Sequence, residues 1–178
     1  GFIFYSESPR LVGPKLSYLP KKVKRIGVFV DQIPQIISER AKQNHLNIIQ
    51  LHGSEPPWYC INLQEEGYKI IKSFGIDPDG FIPNAQLNAY EGKCDYFLFD
   101  TKTKLHGGSG KRFNWERLAD YDGDTPFILS GGISPEDAEE IKSLKHPKFA
   151  GIDINSRFEI EPAYKDIEMI KSFIKQIR

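Results

Sequence analysis

Two patterns of hydrophobic and polar positions alternate along the chain. Seven short runs are apolar at nearly consecutive positions, which is typical of parallel strands buried on both faces. These predicted strands are Gly1–Tyr5, Arg25–Val30, Ile48–Leu51, Lys69–Phe74, Tyr96–Phe99, Phe127–Leu129 and Phe149–Ile152.

Amphipathic segments lie between the predicted strands. They are Pro34–Asn44, Pro56–Gly67, Ile82–Tyr90, Pro135–Leu144 and Asp166–Ile177. Ile33, Ile36, Ile37 and Ala41 share one helical face, which indicates a buried stripe. The run Ser134-Pro135-Glu136-Asp137 predicts a helix start, with a capping serine, a proline in the first turn and acidic residues next to it.

The spacing of the strands indicates the fold class. Successive strands begin roughly 25 residues apart, which is the length of one βα unit. Seven units without an intervening linker predict an α/β chain that forms a single (β/α)8 TIM barrel domain over residues 1–178, with one unit absent from this chain. An open doubly wound sheet is the alternative. That fold usually carries a glycine-rich turn after its first strand, whereas this chain has Ser6-Glu7-Ser8-Pro9-Arg10 there.

Composition narrows the class of protein. The 178 residues are 39% hydrophobic and 27% charged, so the chain can form a core. Lysines and arginines number 24, as do the acidic residues, and this balance argues against nucleic-acid binding. No apolar run reaches the roughly 20 residues of a membrane span, and the first residues lack the charged region and cleavage site expected of a signal peptide. Two cysteines and four widely spaced histidines predict neither disulfides nor a metal site. We therefore expect a cytoplasmic protein.

Candidate chemistry lies after the predicted strands, where (β/α)8 barrels carry their active sites. The residues in these positions are Arg10, His52, Asp100, the loop from His106 to Lys111, Ser130-Gly131-Gly132, and Asp153, Asn155 and Ser156. Each one has an ordinary structural alternative. Arg10 could be a solvated surface group, His52 a structural hydrogen-bonding residue, Asp100 a helix cap and the glycine-rich loop a flexible lid.

Two neighbouring loops predict a phosphate site. The loops that carry Gly131-Gly132 and Asn155-Ser156 follow consecutive late strands, where barrels often bind phosphate through backbone amides. The loop at Gly107–Lys111 does not match a P-loop, since Leu105 stands where that motif needs glycine. A phosphorylated small molecule is therefore the expected substrate.

Several motifs together resemble one enzyme family. The segments are Gly1–Tyr5 with Ser8-Pro9-Arg10, Gly27–Val30, Gln50–Gly53, Asp100–Lys102, Gly107–Lys111 with Phe113 and Trp115, Leu129–Ile133, and Gly151–Asp153. In this order and over the whole length they resemble phosphoribosylanthranilate isomerase of tryptophan biosynthesis. The resemblance implies a (β/α)8 barrel without a cofactor that catalyses an Amadori rearrangement of N-(5-phosphoribosyl)anthranilate to the aminodeoxyribulose phosphate.

The resemblance also implies residue roles. Asp100 would be the general acid that protonates the ribose ring oxygen, and Arg10 would bind the anthranilate carboxylate. Gly108, Gly131, Gly132, Asn155 and Ser156 would bind the phosphate, while His52 and Asp153 would line the substrate site. A carboxylic acid must stay protonated to donate, and we expect burial against Phe97, Leu98 and Phe99 to favour that form.

The chain departs from the family pattern in two places. The family's opening strand, which carries a catalytic-base cysteine in a Lys-x-Cys-Gly motif, is absent, and neither Cys60 nor Cys94 is expected to replace that cysteine. We therefore expect little activity from this chain alone. Arg157 stands where many relatives have glycine, and we expect it to point outward. Another phosphosugar barrel enzyme and a non-catalytic phosphate-binding barrel are the alternatives, and the protein would be a monomer or a homodimer.

Overall fold

The seven predicted strands are all present and follow one another in the sheet in chain order. A computed structural model describes residues 1–16, 22–102 and 112–178. The strands are β1 (Phe2–Ile3), β2 (Ile26–Phe29), β3 (Ile48–Leu51), β4 (Lys69–Ile76), β5 (Tyr96–Thr101), β6 (Phe127–Leu129) and β7 (Phe149–Ile152). Pairing is parallel from β1 through β4, and again between β6 and β7. Apolar runs at this spacing thus predicted both the number and the order of the strands in this sheet.

The helices confirm the amphipathic segments with shorter bounds. They are α1 (Pro34–Gln43), α2 (Pro57–Glu65), α3 (Asn84–Leu87), α4 (Ala138–Ser143) and α5 (Ile167–Ile177), with 3₁₀ turns at Asn88–Tyr90, Trp115–Asp120, Pro135–Asp137 and Ser156–Phe158. Proline occupies the first turn of α1 and of α2, where its missing N–H costs no hydrogen bond.

One predicted core position is wrong. Ile33 is the N-cap of α1 and is 56% exposed, because the chain there is still extended and has not entered the helical turn. Ile37 and Ala41 are fully buried, as the helical stripe predicted. The stripe therefore begins one turn later than the sequence pattern indicates.

A short antiparallel hairpin was not predicted. Strands β8 (Glu159–Glu161) and β9 (Tyr164–Lys165) pair with each other in a separate two-stranded sheet, with Glu159 opposite Lys165. The segment is mostly polar and its strands have three and two residues, so it lacks the alternation that indicates a strand.

The chain divides into two compact units, each with its own buried cluster. The first comprises Gly1–Ser73 and Ala85–Phe97, and its fully buried residues include Phe29, Ile49, Leu51 and Leu63. The second comprises Phe74–Asn84 and Leu98–Arg178. Its fully buried residues include Phe99, Phe127, Phe158 and Phe173, and the rings of Phe99 and Phe127 stack with centroids 5.0 Å apart. Within the described ranges, no helix is long and apolar enough to cross a membrane.

Candidate active site

Hydrogen bonds join the carboxyl ends of β5, β6 and β7 in the second unit. The amide of Ser130 donates to the carbonyl of Phe99 at 2.8 Å, and the amide of Asp153 donates to the carbonyl of Leu129 at 2.8 Å. The Ser130 hydroxyl also donates to Oδ2 of Asp153 at 3.1 Å. These bonds bring the two predicted phosphate loops together, and they give Asp153 a role in holding the loop that begins at Ser130.

Asp100 lies in β5 itself, one residue before its end. It is half-buried, whereas its neighbours Phe99 and Thr101 are buried, so the expectation of a buried carboxyl is wrong in degree. Successive residues of a strand point to opposite faces, so the side chain of Asp100 lies on the other face of β5 from Phe99 and Thr101. A Cβ placed on Gly131 would lie 2.7 Å from Oδ1 of Asp100, so the carboxyl directly adjoins that loop.

Gly131 and Gly132 form a turn that favours glycine. Both have positive φ, +87° and +72°, in the left-handed region that other residues rarely adopt. A Cβ on Gly131 would also lie 2.4 Å from the amide nitrogen of Thr101 and 2.5 Å from its Oγ1. Both the positive φ of Gly131 and the lack of space for a Cβ therefore require glycine at this position.

The helix start after these glycines is capped by its own side chains. The amide of Ser134 donates to Oδ2 of Asp137 at 2.7 Å, and the serine side chain completes a capping box with the Asp137 amide. Arg112 pairs with the same carboxylate at 2.9 Å. The start of this helix was predicted correctly. Its amides are not all available to an anion, because the Asp137 carboxylate already accepts from the amide of Ser134.

Asn155 and Ser156 follow β7 in the other predicted phosphate loop. Both are half-buried, and Ser156 begins a 3₁₀ turn that ends at the buried Phe158. Nζ of Lys165 donates to the carbonyl of Asn155 at 3.1 Å and also to its Oδ1. Arg157 is exposed, as expected. Lys165 is a contact that the sequence analysis missed, because a lysine ten residues downstream carries no local signal.

Arg10 and His52 lie in the first unit, after β1 and β3. Arg10 is half-buried, in a turn where its amide donates to Oγ of Ser8 at 3.1 Å. The amide of His52 donates to the carbonyl of Phe29 at 2.8 Å, and its ring Nδ1 lies 2.9 Å from Nε2 of Gln50. An amide nitrogen only donates, so Nδ1 accepts and a neutral His52 carries its proton on Nε2.

A buried ion pair lies in the same unit and was also missed. Nζ of Lys72 lies 3.2 Å from Oε2 of Glu55, and their side chains are 3% and 1% exposed. Lys72 also donates to the carbonyls of Gly53 at 2.7 Å and Ser73 at 3.1 Å. Oε1 of Glu55 accepts from the amides of Asp31 at 2.9 Å and Gly53 at 3.1 Å. The pair therefore holds the turn that follows His52.

Both cysteines are buried in the first unit. Cys60 is fully buried in α2, and Cys94, 7% exposed, precedes β5 and donates to the carbonyl of Tyr90 at 3.7 Å. The hydrogen bond with Cys60, together with burial, raises the pKa of Cys94. The same hydrogen bond lowers the pKa of Cys60. Because both side chains are buried, neither is placed as an accessible base.

One predicted site residue lies outside the described residues: Gly108, in the segment 103–111. Across residues 1–16, 22–102 and 112–178, no group of three or more His, Cys, Asp or Glu side chains could hold a metal ion.

Parallel strands whose carboxyl ends carry Asp100 beside the Gly131-Gly132 loop are typical of the (β/α)8-barrel class of α/β proteins. The family model for N-(5'-phosphoribosyl)anthranilate isomerase matches residues 1–176. The chain belongs to this family of isomerases of tryptophan biosynthesis, and its fold is the (β/α)8 TIM barrel.

Individual relatives agree with this membership. N-(5'-phosphoribosyl)anthranilate isomerase of Parabacteroides distasonis is 49% identical, over 99% of this chain and 82% of its own length. The crystal structure of the Thermotoga maritima enzyme superposes with a TM-score of 0.82 at 34% identity, covering 99% of this chain and 85% of that one.

Two further solved structures bear on ligand and assembly. A phosphoribosylanthranilate isomerase in complex with reduced 1-(o-carboxyphenylamino)-1-deoxyribulose 5-phosphate is 30% identical, with a TM-score of 0.77, 99% of this chain and 84% of that one. Monomers generated from the dimeric Thermotoga maritima enzyme give the same identity, TM-score and coverage.

Proposed function

We propose that the protein converts N-(5-phosphoribosyl)anthranilate to 1-(2-carboxyphenylamino)-1-deoxyribulose 5-phosphate. The observation that carries the proposal is the position of Asp100, whose carboxyl adjoins Gly131 in a loop that the family resemblance assigns to the substrate phosphate. An acid beside a phosphate loop suits a reaction that opens a phosphorylated sugar ring. The relative solved with a reduced product analogue supports the same substrate class.

The reaction needs one acid and one base and no net oxidant. Asp100 protonates the ribose ring oxygen, the bond from that oxygen to C1 breaks, and the nitrogen lone pair forms a Schiff base. A base then removes the proton from C2, and the electron pair moves to give an enolamine. Protonation of C1, with loss of the proton from the C2 hydroxyl, then gives the C2 ketone of the product.

Binding roles follow for the other site residues. Gly131, Gly132, Asn155 and Ser156, with Gly108, hold the phosphate through their loops, and Asp153 supports them through its bond with Ser130. Arg10 binds the anthranilate carboxylate, since a planar guanidinium matches both carboxylate oxygens. His52 contributes to the substrate site. The proposal includes no cofactor and no metal.

The proposal extends to the whole chain as one domain. An uninterrupted family match over residues 1–176 supports a single barrel domain over 1–178. A monomer or a homodimer remains our prediction for the assembly, and the dimeric Thermotoga maritima relative supports the second form. Size-exclusion chromatography with light scattering distinguishes them by mass.

Conversion of phosphoribosylanthranilate is the expected activity, and the decay of its fluorescence measures turnover. Asp100 supplies the acid. Both cysteines are buried, so neither is proposed as the base.

The outcomes of that assay are distinct. A decay of the substrate fluorescence supports the isomerase. A protein that binds inorganic phosphate but leaves the substrate fluorescence constant would contradict the proposed reaction and favour a phosphate-binding barrel.

Gly131→Ala is expected to lower both stability and activity. A left-handed backbone costs a non-glycine residue about 1–2 kcal/mol, and the clash with the Thr101 amide adds about 1–3 kcal/mol of overpacking. The displaced Asp100 should also lower kcat/KM. Urea unfolding and the fluorescence assay measure the two effects.

Gly67→Ala is the matched control for this variant. Its φ of +92° is close to that of Gly131, but a Cβ there would meet nothing within 4 Å. It should show only the backbone cost and keep kcat/KM. Equal losses for the two variants would mean that Gly131 does not make close contact with Asp100 and Thr101.

A further inference from the structure

Lys165 connects the hairpin to the loop that carries Asn155 and Ser156. Its Nζ contacts three acceptors: the carbonyl of Asn155 at 3.1 Å, Oδ1 of Asn155, and Oε1 of Glu159 at 2.7 Å. The lysine side chain is 33% exposed, so most of it lies along the protein. One cation thus holds both the main chain and the side chain of a loop residue.

Glu159 fixes the position of that cation. Its side chain is 3% exposed, and it stands directly opposite Lys165 across the β8–β9 pair. The same oxygen, Oε1, accepts from the amide of Ala163 at 3.2 Å, in a hairpin turn where Ala163 has a φ of +70°. Opposite charges paired across a hairpin stabilise its register. The hairpin therefore holds the ammonium group in one place.

The loop residue that Lys165 contacts has an unusual backbone. Asn155 has φ of −142° and ψ of −96°, outside the helical and extended regions. Its carbonyl also accepts from the amide of Phe158 at 3.1 Å, which closes the 3₁₀ turn after Ser156. Such a conformation persists where surrounding contacts fix it, and the contacts of Lys165 are of this kind.

We propose that Lys165 is a positioning residue for the phosphate group of the substrate, an inference that rests on the proposed function. Its charge is balanced by Glu159, so its contribution is mainly the geometry of the loop and only secondarily the electrostatic field. Lys165 holds the Asn155 carbonyl and side chain back, and this leaves the loop in the shape that receives the phosphate. The β8–β9 hairpin, which was not predicted from the sequence, thereby supports the loop that carries Asn155 and Ser156.

Lys165→Met tests the inference in the protein's isomerase and phosphate-binding assays. Losing hydrogen bonds from a charged group weakens an interaction by about 10- to 100-fold. We expect KM, and the dissociation constant for inorganic phosphate measured by calorimetry, to rise by that factor. We expect kcat to change by less than about threefold, because Asp100 is untouched. Lys165→Arg keeps a cationic donor and should recover part of the phosphate affinity.

Two further variants keep the test decisive. The double variant Glu159→Gln with Lys165→Met has no unpaired buried carboxylate at this site. If Lys165→Met alone unfolds, the double variant provides a folded protein that still lacks the contacts with Asn155. Lys171→Met is the control, since Lys171 is 61% exposed on α5 and pairs only with the exposed Glu168 among its described contacts. It should change neither constant.

Each outcome separates this inference from the proposed function. Unchanged phosphate affinity and KM in folded Lys165 variants would overturn the role of Lys165 while leaving the isomerase intact. A loss of kcat with unchanged KM would also overturn it, since a positioning role at the phosphate acts on binding. If the protein has no isomerase activity, the calorimetric measurement with inorganic phosphate still decides whether Lys165 shapes an anion site.

Discussion

Asp100→Asn is expected to lower kcat by about 10²- to 10⁴-fold, the usual contribution of a general acid, while KM changes little. Asparagine has nearly the same shape and keeps an oxygen that can lie against Gly131, so the loop and the substrate site retain their form. It lacks a proton of suitable acidity for the ribose ring oxygen. The measurement is steady-state kinetics, followed by the decay of substrate fluorescence.

Asp95→Asn is the control at the other end of the same strand. Asp95 directly precedes β5, at the end of the strand opposite to the loops. Its Oδ2 accepts a structural hydrogen bond from the amide of Ile70 at 2.8 Å. This variant should keep kcat and lose at most some stability. A large rise in KM with unchanged kcat for Asp100→Asn would make Asp100 a binding residue and would remove the acid from the mechanism.

The fold was predictable because its signal is local. A parallel strand buried on both faces appears as a continuous apolar run, so Ile48–Leu51, Phe127–Leu129 and Phe149–Ile152 were predicted to the residue. The position of Asp100 followed from the same rule, since the residue at the end of such a run lies where barrels carry chemistry. Its exposure did not follow, because that depends on how the loops after β6 and β7 pack.

The contacts that fix the loops were not predictable, because each joins residues far apart in the chain. Lys72 lies within an apolar run and forms its ion pair with Glu55, seventeen positions earlier and in a different element. Lys165 and Glu159 belong to a hairpin too short and polar to be recognised. Pairing of charges across elements leaves no periodicity in the sequence. Such residues are found only when the strands are placed side by side.

Lys72→Met is expected to have the largest effect on stability, about 3–5 kcal/mol, the usual loss when one partner of a buried ion pair is removed. Methionine fills similar space but leaves the Glu55 carboxylate charged, 1% exposed and without its cation. The carbonyls of Gly53 and Ser73 lose a donor as well. The free energy of unfolding in urea, followed by circular dichroism, measures the loss.

Two comparisons separate burial from charge as the cause. Lys69→Met removes a lysine from the same strand, but that side chain is 63% exposed and lies 3.9 Å from Asp95, so its loss should be below about 1 kcal/mol. Adding Glu55→Gln to Lys72→Met removes the stranded charge while an amide oxygen still accepts from Asp31 and Gly53, so part of the stability should return. If the single variant lost less than about 1 kcal/mol, water would have to reach Glu55 and solvate it. The turn after His52 would then be held by its backbone bonds rather than by the ion pair.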